Sequence, residues 1–174
     1  MRNVLQRLPL LLLALIIGTA VLHSQIAVTL TSISGVPGST LKIPVNVADL
    51  TGKDVSSFEF VVSCDTTVVR LSGIEQKGTL SQGLTMFANN RVRPFGPGRM
   101  KIVCASAEPL SGSGVLVYIT ANVQKKGGSS PLQLSDFLFN TGTPSASTTN
   151  GAVKATVTKV GKTGVGQGAT PRKN

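Results

Sequence analysis

The chain of 174 residues has few of the residues on which most enzyme chemistry depends. It contains no tryptophan, one tyrosine, one histidine and only seven acidic residues. The histidine, His23, falls in an N-terminal segment with the pattern of a signal peptide, so we expect the mature chain to have none. That excludes Ser-His-Asp and Cys-His catalysis, histidine-bound zinc and a histidine pH switch.

The seven carboxylates do not form a catalytic pair either. A glycosidase needs two carboxyl groups that face each other across a cleft, about 5–10 Å apart. Glu59 falls on a predicted strand and Glu108 in a loop before Pro109, so these two are not placed for that task. The closely spaced aspartates of a calcium loop are also missing. We therefore predict that the protein is not an enzyme and has no metal site and no cofactor.

Helical periodicity is missing as well, and short β-branched runs take its place. Apolar residues make up 41% of the chain and charged residues 14%, a balance that argues against disorder. Gly, Pro, Ser and Asn separate the runs, which predicts strands joined by turns. The pattern favours an all-β fold, a nine-stranded antiparallel β-sandwich. The nine predicted strands are 26–34, 39–47, 57–64, 68–76, 84–89, 99–106, 115–124, 132–139 and 152–158.

The two ends of the chain differ from this body. Arg2 and Arg7 precede an apolar run at 8–17, and small residues that suit cleavage follow at 18–20 or at Ser24. The apolar run is too short for a bilayer span, so we expect a secreted, extracellular or periplasmic protein without a membrane span once the signal is removed. The predicted organisation is a signal peptide at 1–24, one domain at 25–158 and a flexible basic tail at 159–174.

The formal charge of +10 invites a nucleic-acid interpretation, which the distribution of the charges does not favour. Removing the signal takes away two cations and the tail holds four more, which leaves +4 on the predicted domain. Base-stacking aromatics are scarce, so we predict no nucleic-acid partner. Attraction to an acidic partner or to an anionic polymer at the cell surface stays open.

Three stretches together resemble the bacterial cohesin domain, a module that binds dockerins in cellulosome-type assemblies. The first has a strand, a Gly-x-x-Gly turn and a proline-containing strand at 31–47. The second has paired aromatics and a Ser-x-Asp corner at 58–65, followed by a strand at 68–71. The third combines the segments 98–103, 114–123, 132–136 and 150–153. This resemblance implies a jelly-roll topology and a dockerin-like, calcium-binding domain of another exported protein as partner.

The resemblance also implies where the partner binds. The family's recognition face is the sheet that holds the third, fifth, sixth and eighth predicted strands. Alternation along these strands selects the outward residues, and others lie beside them. The predicted partner-binding residues are Glu59, Val61, Ser63, Asn89, Asn90, Arg91, Lys101, Val103 and Ala105.

Two cysteines, Cys64 and Cys104, fall on the apolar side of their predicted strands. The resemblance makes these strands neighbours in one sheet. A disulfide suits an exported protein, whereas two separate buried thiols suit the apolar pattern. Both alternatives stay open at this stage.

Two other functions compete with protein binding. One is direct binding of a polysaccharide, because the fold is related to carbohydrate-binding modules. Such modules usually stack sugars on exposed Trp or Tyr, but Tyr118 falls on a predicted core strand and Phe95 is the one aromatic that we expect in solvent. The other is a structural role as an orphan domain of an envelope assembly.

Overall fold

The computed structural model of the protein describes residues 25–156, which fold into strands and turns. The predicted signal peptide and basic tail lie outside these residues. Within 25–156, no helix is long and apolar enough to cross a bilayer. The strands are β1 Ile26–Leu30, β2 Ile33–Gly35, β3 Thr40–Val47, β4 Ser57–Ser63, β5 Val69–Glu75, β6 Thr85–Asn89, β7 Arg99–Ala105, β8 Gly114–Val123, β9 Gly128–Phe139, β10 Ala146–Thr149 and β11 Gly151–Ala155.

The strands form two sheets that enclose one apolar core. A five-stranded sheet has the order β10-β1-β3-β8-β5, and a six-stranded sheet has the order β2-β11-β9-β4-β7-β6. Alternate residues of each strand face inward, as the two-residue period of a strand requires. The largest fully buried side chains, each under 2% exposed, come from both sheets and include Ile43, Ile119, Phe58, Phe60 and Ile102. The sandwich predicted from the sequence is therefore confirmed.

Residues 25–156 form eleven strands rather than nine, and two pairs of them are parallel. The segment predicted as a single strand at 26–34 divides into β1 in one sheet and β2 in the other. The short strand β10 was missed because its sequence, Ala-Ser-Thr-Thr, has no apolar alternation and three of its four residues are exposed. β10 pairs with β1, and β2 with β11, in parallel, while the other pairs are antiparallel.

Gly151 marks the place where the chain passes between the sheets. Asn150 alone separates β10 of the five-stranded sheet from β11 of the six-stranded sheet, and its Oδ1 accepts a hydrogen bond from the Leu134 amide. A Cβ at Gly151 would collide with the main-chain carbonyl of Leu30. A residue without a side chain is therefore required for this close crossing.

A β-bulge in β9 changes which of its residues face outward. Val61 of β4 lies opposite Ser135, but Glu59, two residues away, lies opposite Leu138, so β9 has one extra residue here. Asp136 lies in the bulge, and its φ of 52° is in the left-handed region. Beyond the bulge the parity is reversed: Phe137 packs against the core, and Leu138 is 42% exposed on the outer side.

The two cysteines do not form a disulfide, so the disulfide alternative is wrong. Both are free thiols, although β4 and β7 are neighbours. Cys104 lies opposite Phe58, whereas Cys64 follows Ser63, which lies opposite Arg99 at the other end of the strand pair. Six residues of extended strand are about 20 Å, far beyond the Cα separation of about 4–7 Å that a disulfide tolerates. Burial raises the pKa of each thiol to about 11.

Candidate partner-binding face

The four strands expected to form the recognition face lie side by side. They correspond to β9, β4, β7 and β6, in that order across the six-stranded sheet. Because directly opposed residues of antiparallel strands share a face, the register identifies which side chains project together from the outer side of the sandwich. We refer to the outer side of these four strands as the outer face.

A row of exposed apolar side chains crosses the centre of the outer face. Phe87 lies opposite Val103, Val103 opposite Glu59, and Glu59 opposite Leu138, so one residue from each strand is in line. The exposed fractions are 71% for Phe87, 37% for Val103 and 42% for Leu138. We call these three residues the apolar row. They are three of the five large hydrophobic residues exposed between residues 25 and 156; the other two are Val36 and Val92.

A polar row lies directly beside the apolar row. In it Asn89 lies opposite Lys101, Lys101 opposite Val61, and Val61 opposite Ser135. The Lys101 ammonium forms an ion pair at 3.1 Å with the carboxylate of Glu59, whose side chain comes from the apolar row. Each of these two charged side chains is about one-third exposed, so the pair contributes little to stability but fixes both groups at the surface.

The predicted residues divide between those on the outer face and those beside it. The register places Glu59, Val61, Ser63, Asn89, Lys101, Val103 and Ala105 on the outer face. Val61 is only 3% exposed, which leaves it little surface for a partner. Asn90 is turned toward β5, where its Nδ2 donates to the Leu71 carbonyl at 3.1 Å, and Arg91 begins the exposed loop that joins β6 to β7.

Two members of the apolar row, Phe87 and Leu138, were missed from the sequence. Phe87 shares the parity of Asn89, so alternation from the predicted residue was sufficient to find it. Leu138 could not be found in that way because the bulge at Asp136 reverses the parity of β9. Its one signal was an aspartate in the middle of an apolar strand.

The expectation for Phe95 was wrong, and the exposed aromatic is Phe87 instead. Phe95 is half-buried, with the guanidinium of Arg99 5.6 Å from its ring centroid. This cation–π contact holds the Phe95 ring against Arg99 within the β6–β7 loop. Tyr118 was expected in the core but is half-buried on β8, opposite Pro44 and Glu75.

A shallow cavity of about 260 Å³ lies at one end of the outer face, beside Ser63 and Gln133. Asp65 forms part of its lining, and the amide of Asp65 donates to the buried Ser130 hydroxyl at 2.8 Å. Asp65 also accepts a hydrogen bond from the amide of Thr67, which lowers the pKa of its carboxyl. This carboxylate is therefore already engaged in a turn.

The fold agrees with the comparison with protein families. The family model described as Cohesin domain matches residues 26–164, most of the chain. The chain belongs to the cohesin domain family. The resemblance identified from the sequence is thus confirmed.

Solved cohesins share the fold at low sequence identity. The sixth cohesin of Acetivibrio cellulolyticus scaffoldin B, in complex with a mutant Cel5 dockerin, is 22% identical, with a TM-score of 0.63 over 76% of this chain and 100% of that one. The Clostridium thermocellum cohesin of the OlpA–Doc918 complex is 18% identical, with a TM-score of 0.64 over 76% and 100%. A non-cellulosomal cohesin from Archaeoglobus fulgidus is 20% identical, with a TM-score of 0.62 over 76% and 92%. No curated protein matches this cohesin closely enough to count as a relative.

Proposed function

We propose that this cohesin is a secreted, non-catalytic module that binds a dockerin-type domain of another exported protein through the outer face. The observation that carries the proposal is the apolar row, which is exposed at the centre of that face. Structural neighbours from Acetivibrio cellulolyticus and Clostridium thermocellum, whose fold this chain shares, are complexes of a cohesin with a dockerin. The assembly would serve extracellular polysaccharide degradation.

The composition of the outer face suits a protein interface. Stable interfaces have a central apolar patch that loses its water, surrounded by a polar rim. Here Phe87, Val103 and Leu138 supply the apolar surface, and Asn89 and Lys101 supply polar groups at its edge. Glu59, which is paired with Lys101, lies between Val103 and Leu138. A large exposed aromatic such as Phe87 is also the kind of residue that dominates binding energy when a partner covers it.

The non-catalytic part of the proposal rests on the sequence and on the pKa values of the thiols, and the secreted part rests on the sequence. Without His23, which falls in the predicted signal, the chain has no histidine base, and its thiols have pKa values raised to about 11, which keeps them protonated near neutral pH. Membership in a family of binding modules points the same way. The N-terminal pattern of Arg2, Arg7 and the apolar run supports export.

The test uses purified dockerin domains encoded in the same genome as this chain, with and without calcium. The chain without its signal is immobilised, and the affinity of each dockerin is measured beside three single variants of the apolar row, Phe87→Asp, Val103→Asp and Leu138→Asp. A buried interfacial charge should weaken binding by about 2 kcal/mol or more, which is about 30-fold or more. Val36→Asp is the matched control because Val36 is equally apolar and 52% exposed but lies outside the outer face.

The outcomes separate the competing functions. Calcium-dependent capture of a dockerin that survives Val36→Asp and is lost in the apolar-row variants supports the proposal. Retention on insoluble polysaccharide without any dockerin binding contradicts it and favours a carbohydrate-binding module. Failure to bind either leaves the structural role in an envelope assembly.

A further inference from the structure

Positive charge is concentrated at one end of the sandwich. The loops β4–β5, β6–β7 and β8–β9 and the adjoining strand ends meet there, because Ser63 lies opposite both Arg99 and Gln133 and the Gln124 amide donates to the Val68 carbonyl. Among residues 25–156, one carboxylate, Asp65, lies at this end beside seven cations, so the formal charge of the described part of this end is +6. We call the seven cations found there the basic end: Arg70, Arg91, Arg93, Arg99, Lys125, Lys126 and Lys154.

The opposite end of the sandwich has no such excess. The loops β3–β4, β5–β6 and β7–β8 carry two cations, Lys53 and Lys77, against three carboxylates, Asp49, Asp54 and Glu108. The middle of the sandwich holds two ion pairs and Asp136. The net positive charge of residues 25–156 is therefore concentrated at one end. The sequence did not reveal this because the seven cations are spread from residue 70 to residue 154.

None of the cations of the basic end forms an ion pair within residues 25–156, although the charge of Lys126 contributes to lowering the pKa of the Asp65 carboxyl. The two ion pairs within residues 25–156, Lys42–Glu75 and Lys101–Glu59, lie outside the basic end. Asp65 accepts hydrogen bonds within its own turn, which holds its carboxylate toward Thr67. The formal charge of +6 that remains after Asp65 is counted produces a long-range field that attracts anions.

The β6–β7 loop joins the basic end to the outer face, and hydrogen bonds fix its main chain at both sides. Asn89 Oδ1 accepts from the Arg91 and Val92 amides at 3.2 and 3.1 Å, which caps the turn. At the other side of the loop, Gly96 and Arg99 exchange two main-chain hydrogen bonds at 2.8 and 2.9 Å, and the Arg99 guanidinium lies over the Phe95 ring.

Arg99 also belongs to the outer face itself. It lies opposite Ser63 and two residues along β7 from Lys101, which is in turn two residues from Val103 of the apolar row. Arg91 and Arg93 are exposed in the adjacent β6–β7 loop, at the same end of this surface, and we refer to the three arginines as its rim. Guanidinium groups suit this position because they bind carboxylates with two parallel hydrogen bonds.

We propose that the rim formed by Arg91, Arg93 and Arg99 selects a partner with a carboxylate-rich segment. In this partner the acidic segment lies beside the apolar residues that cover the apolar row. This inference rests on the proposed dockerin binding and specifies the chemistry of the dockerin. A protein partner is favoured over an anionic polymer because the arginines lie on the same face as the exposed apolar row, which a polyanion would leave in water. The remaining cations of the basic end strengthen the field that guides the acidic segment into place.

The experiment compares two double charge reversals that change the net charge equally. Arg91→Glu/Arg93→Glu alters the rim, and Lys53→Glu/Lys77→Glu alters the opposite end. Association and dissociation rates are measured by surface plasmon resonance against dockerin domains from the same genome, in calcium, at 0.05 and 0.5 M NaCl. Neither pair of residues is in the core, so both variants should fold, which circular dichroism verifies.

We expect the rim variant to associate at least about tenfold more slowly than the unchanged chain in 0.05 M NaCl, with the difference mostly lost in 0.5 M NaCl. The control variant should stay within about threefold. Replacing acidic residues of the bound dockerin by lysine should restore association with the rim variant and weaken it with the unchanged chain. Among the dockerins, those with acidic surfaces should bind fastest.

Three results would overturn the inference. Dockerin binding with equal rates for the two charge reversals would leave the proposed function standing and remove the role of the rim. Binding of linear polyphosphate or phosphatidylglycerol vesicles in 0.15 M NaCl, lost in the rim variant while dockerin rates are unchanged, would assign the rim to an anionic polymer or membrane. If no dockerin binds at all, the proposed function fails and this inference fails with it.

Discussion

Glu59 lies opposite Leu138 across the β4–β9 pair, whereas Val61, on the same side of β4, lies opposite Ser135. One extra residue in β9 produces this offset, and it turns Phe137 inward and Leu138 outward. The Phe137 ring stacks on Phe60 at 5.5 Å, so the bulge both completes the core and exposes one end of the apolar row. The outer face of this cohesin thus depends on a local backbone irregularity.

The backbone of Asp136 should be the sensitive point of the bulge. Its φ of 52° lies in the left-handed region, where a β-branched residue is strained. We expect Asp136→Val to lower the free energy of unfolding by about 1–2 kcal/mol, and Asp136→Gly to change it by less than about 1 kcal/mol. Urea unfolding of the two variants provides the measurement.

Ser135→Val is the matched control for that comparison. Ser135 is exposed on the same strand with an ordinary φ, so valine there should change stability by less than about 0.5 kcal/mol. Equal effects of valine at 135 and at 136 would show that the left-handed backbone is unimportant.

Asn140 connects the end of β9 to the loop before β4 and should be a second sensitive position. Its Oδ1 accepts from the Ser56 and Ser57 amides at 3.0 and 3.1 Å, and its Nδ2 donates to the Asp54 and Thr143 carbonyls at 3.0 Å each. Four bonds at about 1 kcal/mol each predict that Asn140→Gly, which permits the same positive φ, lowers the free energy of unfolding by about 2–4 kcal/mol.

Asn140→Asp separates the two halves of this network. Aspartate keeps the acceptor for Ser56 and Ser57 and loses the donor to Asp54 and Thr143, so its urea midpoint should fall between those of the unchanged chain and Asn140→Gly. A midpoint for Asn140→Gly equal to that of the unchanged chain would contradict a structural role for the side chain.

The two thiols should be chemically inert in the folded protein and free of any disulfide. Burial raises the pKa of Cys64 and of Cys104 to about 11, so both stay protonated at pH 8. We expect iodoacetamide at pH 8 to modify both within minutes in 8 M urea without reductant, and at least tenfold more slowly in buffer. Mass spectrometry counts the added groups, and a requirement for reductant would contradict the free thiols.

Because the pKa values of the two thiols are raised, the free energy of unfolding should decrease as the pH rises. The folded chain holds its thiol protons to higher pH than the unfolded chain, whose thiols titrate near pH 8.5. The stabilisation is therefore complete below that value and is lost as the pH rises toward 11. The urea midpoint should fall between pH 8 and pH 10, and less steeply in Cys64→Ala/Cys104→Ala; equal slopes for the two proteins would contradict this linkage.

Alternation of apolar and polar residues was sufficient to predict most of the fold and, on the outer face, residues such as Glu59, Lys101 and Val103. Phe58 and Phe60 point inward and Glu59 outward on β4 because a two-residue period has no other solution when one face is buried. Leu138 and the basic end were not accessible in this way. Leu138 depends on the bulge at Asp136, and the basic end depends on which loops meet in space, which a linear sequence records only through the topology.

Gly151 should tolerate no side chain, because its backbone passes against Leu30 where the chain crosses from one sheet to the other. The atom in the way is a main-chain carbonyl that cannot rotate aside, so an added methyl group must displace β1 or β11. We expect Gly151→Ala to lower the free energy of unfolding by about 1–3 kcal/mol in urea titrations. Gly96→Ala is the control, since a Cβ there meets nothing within 4 Å and alanine restricts the unfolded chain, which predicts little change or a gain of up to about 1 kcal/mol. Equal stability of the two variants would mean that β1 can move away from the crossing at no cost.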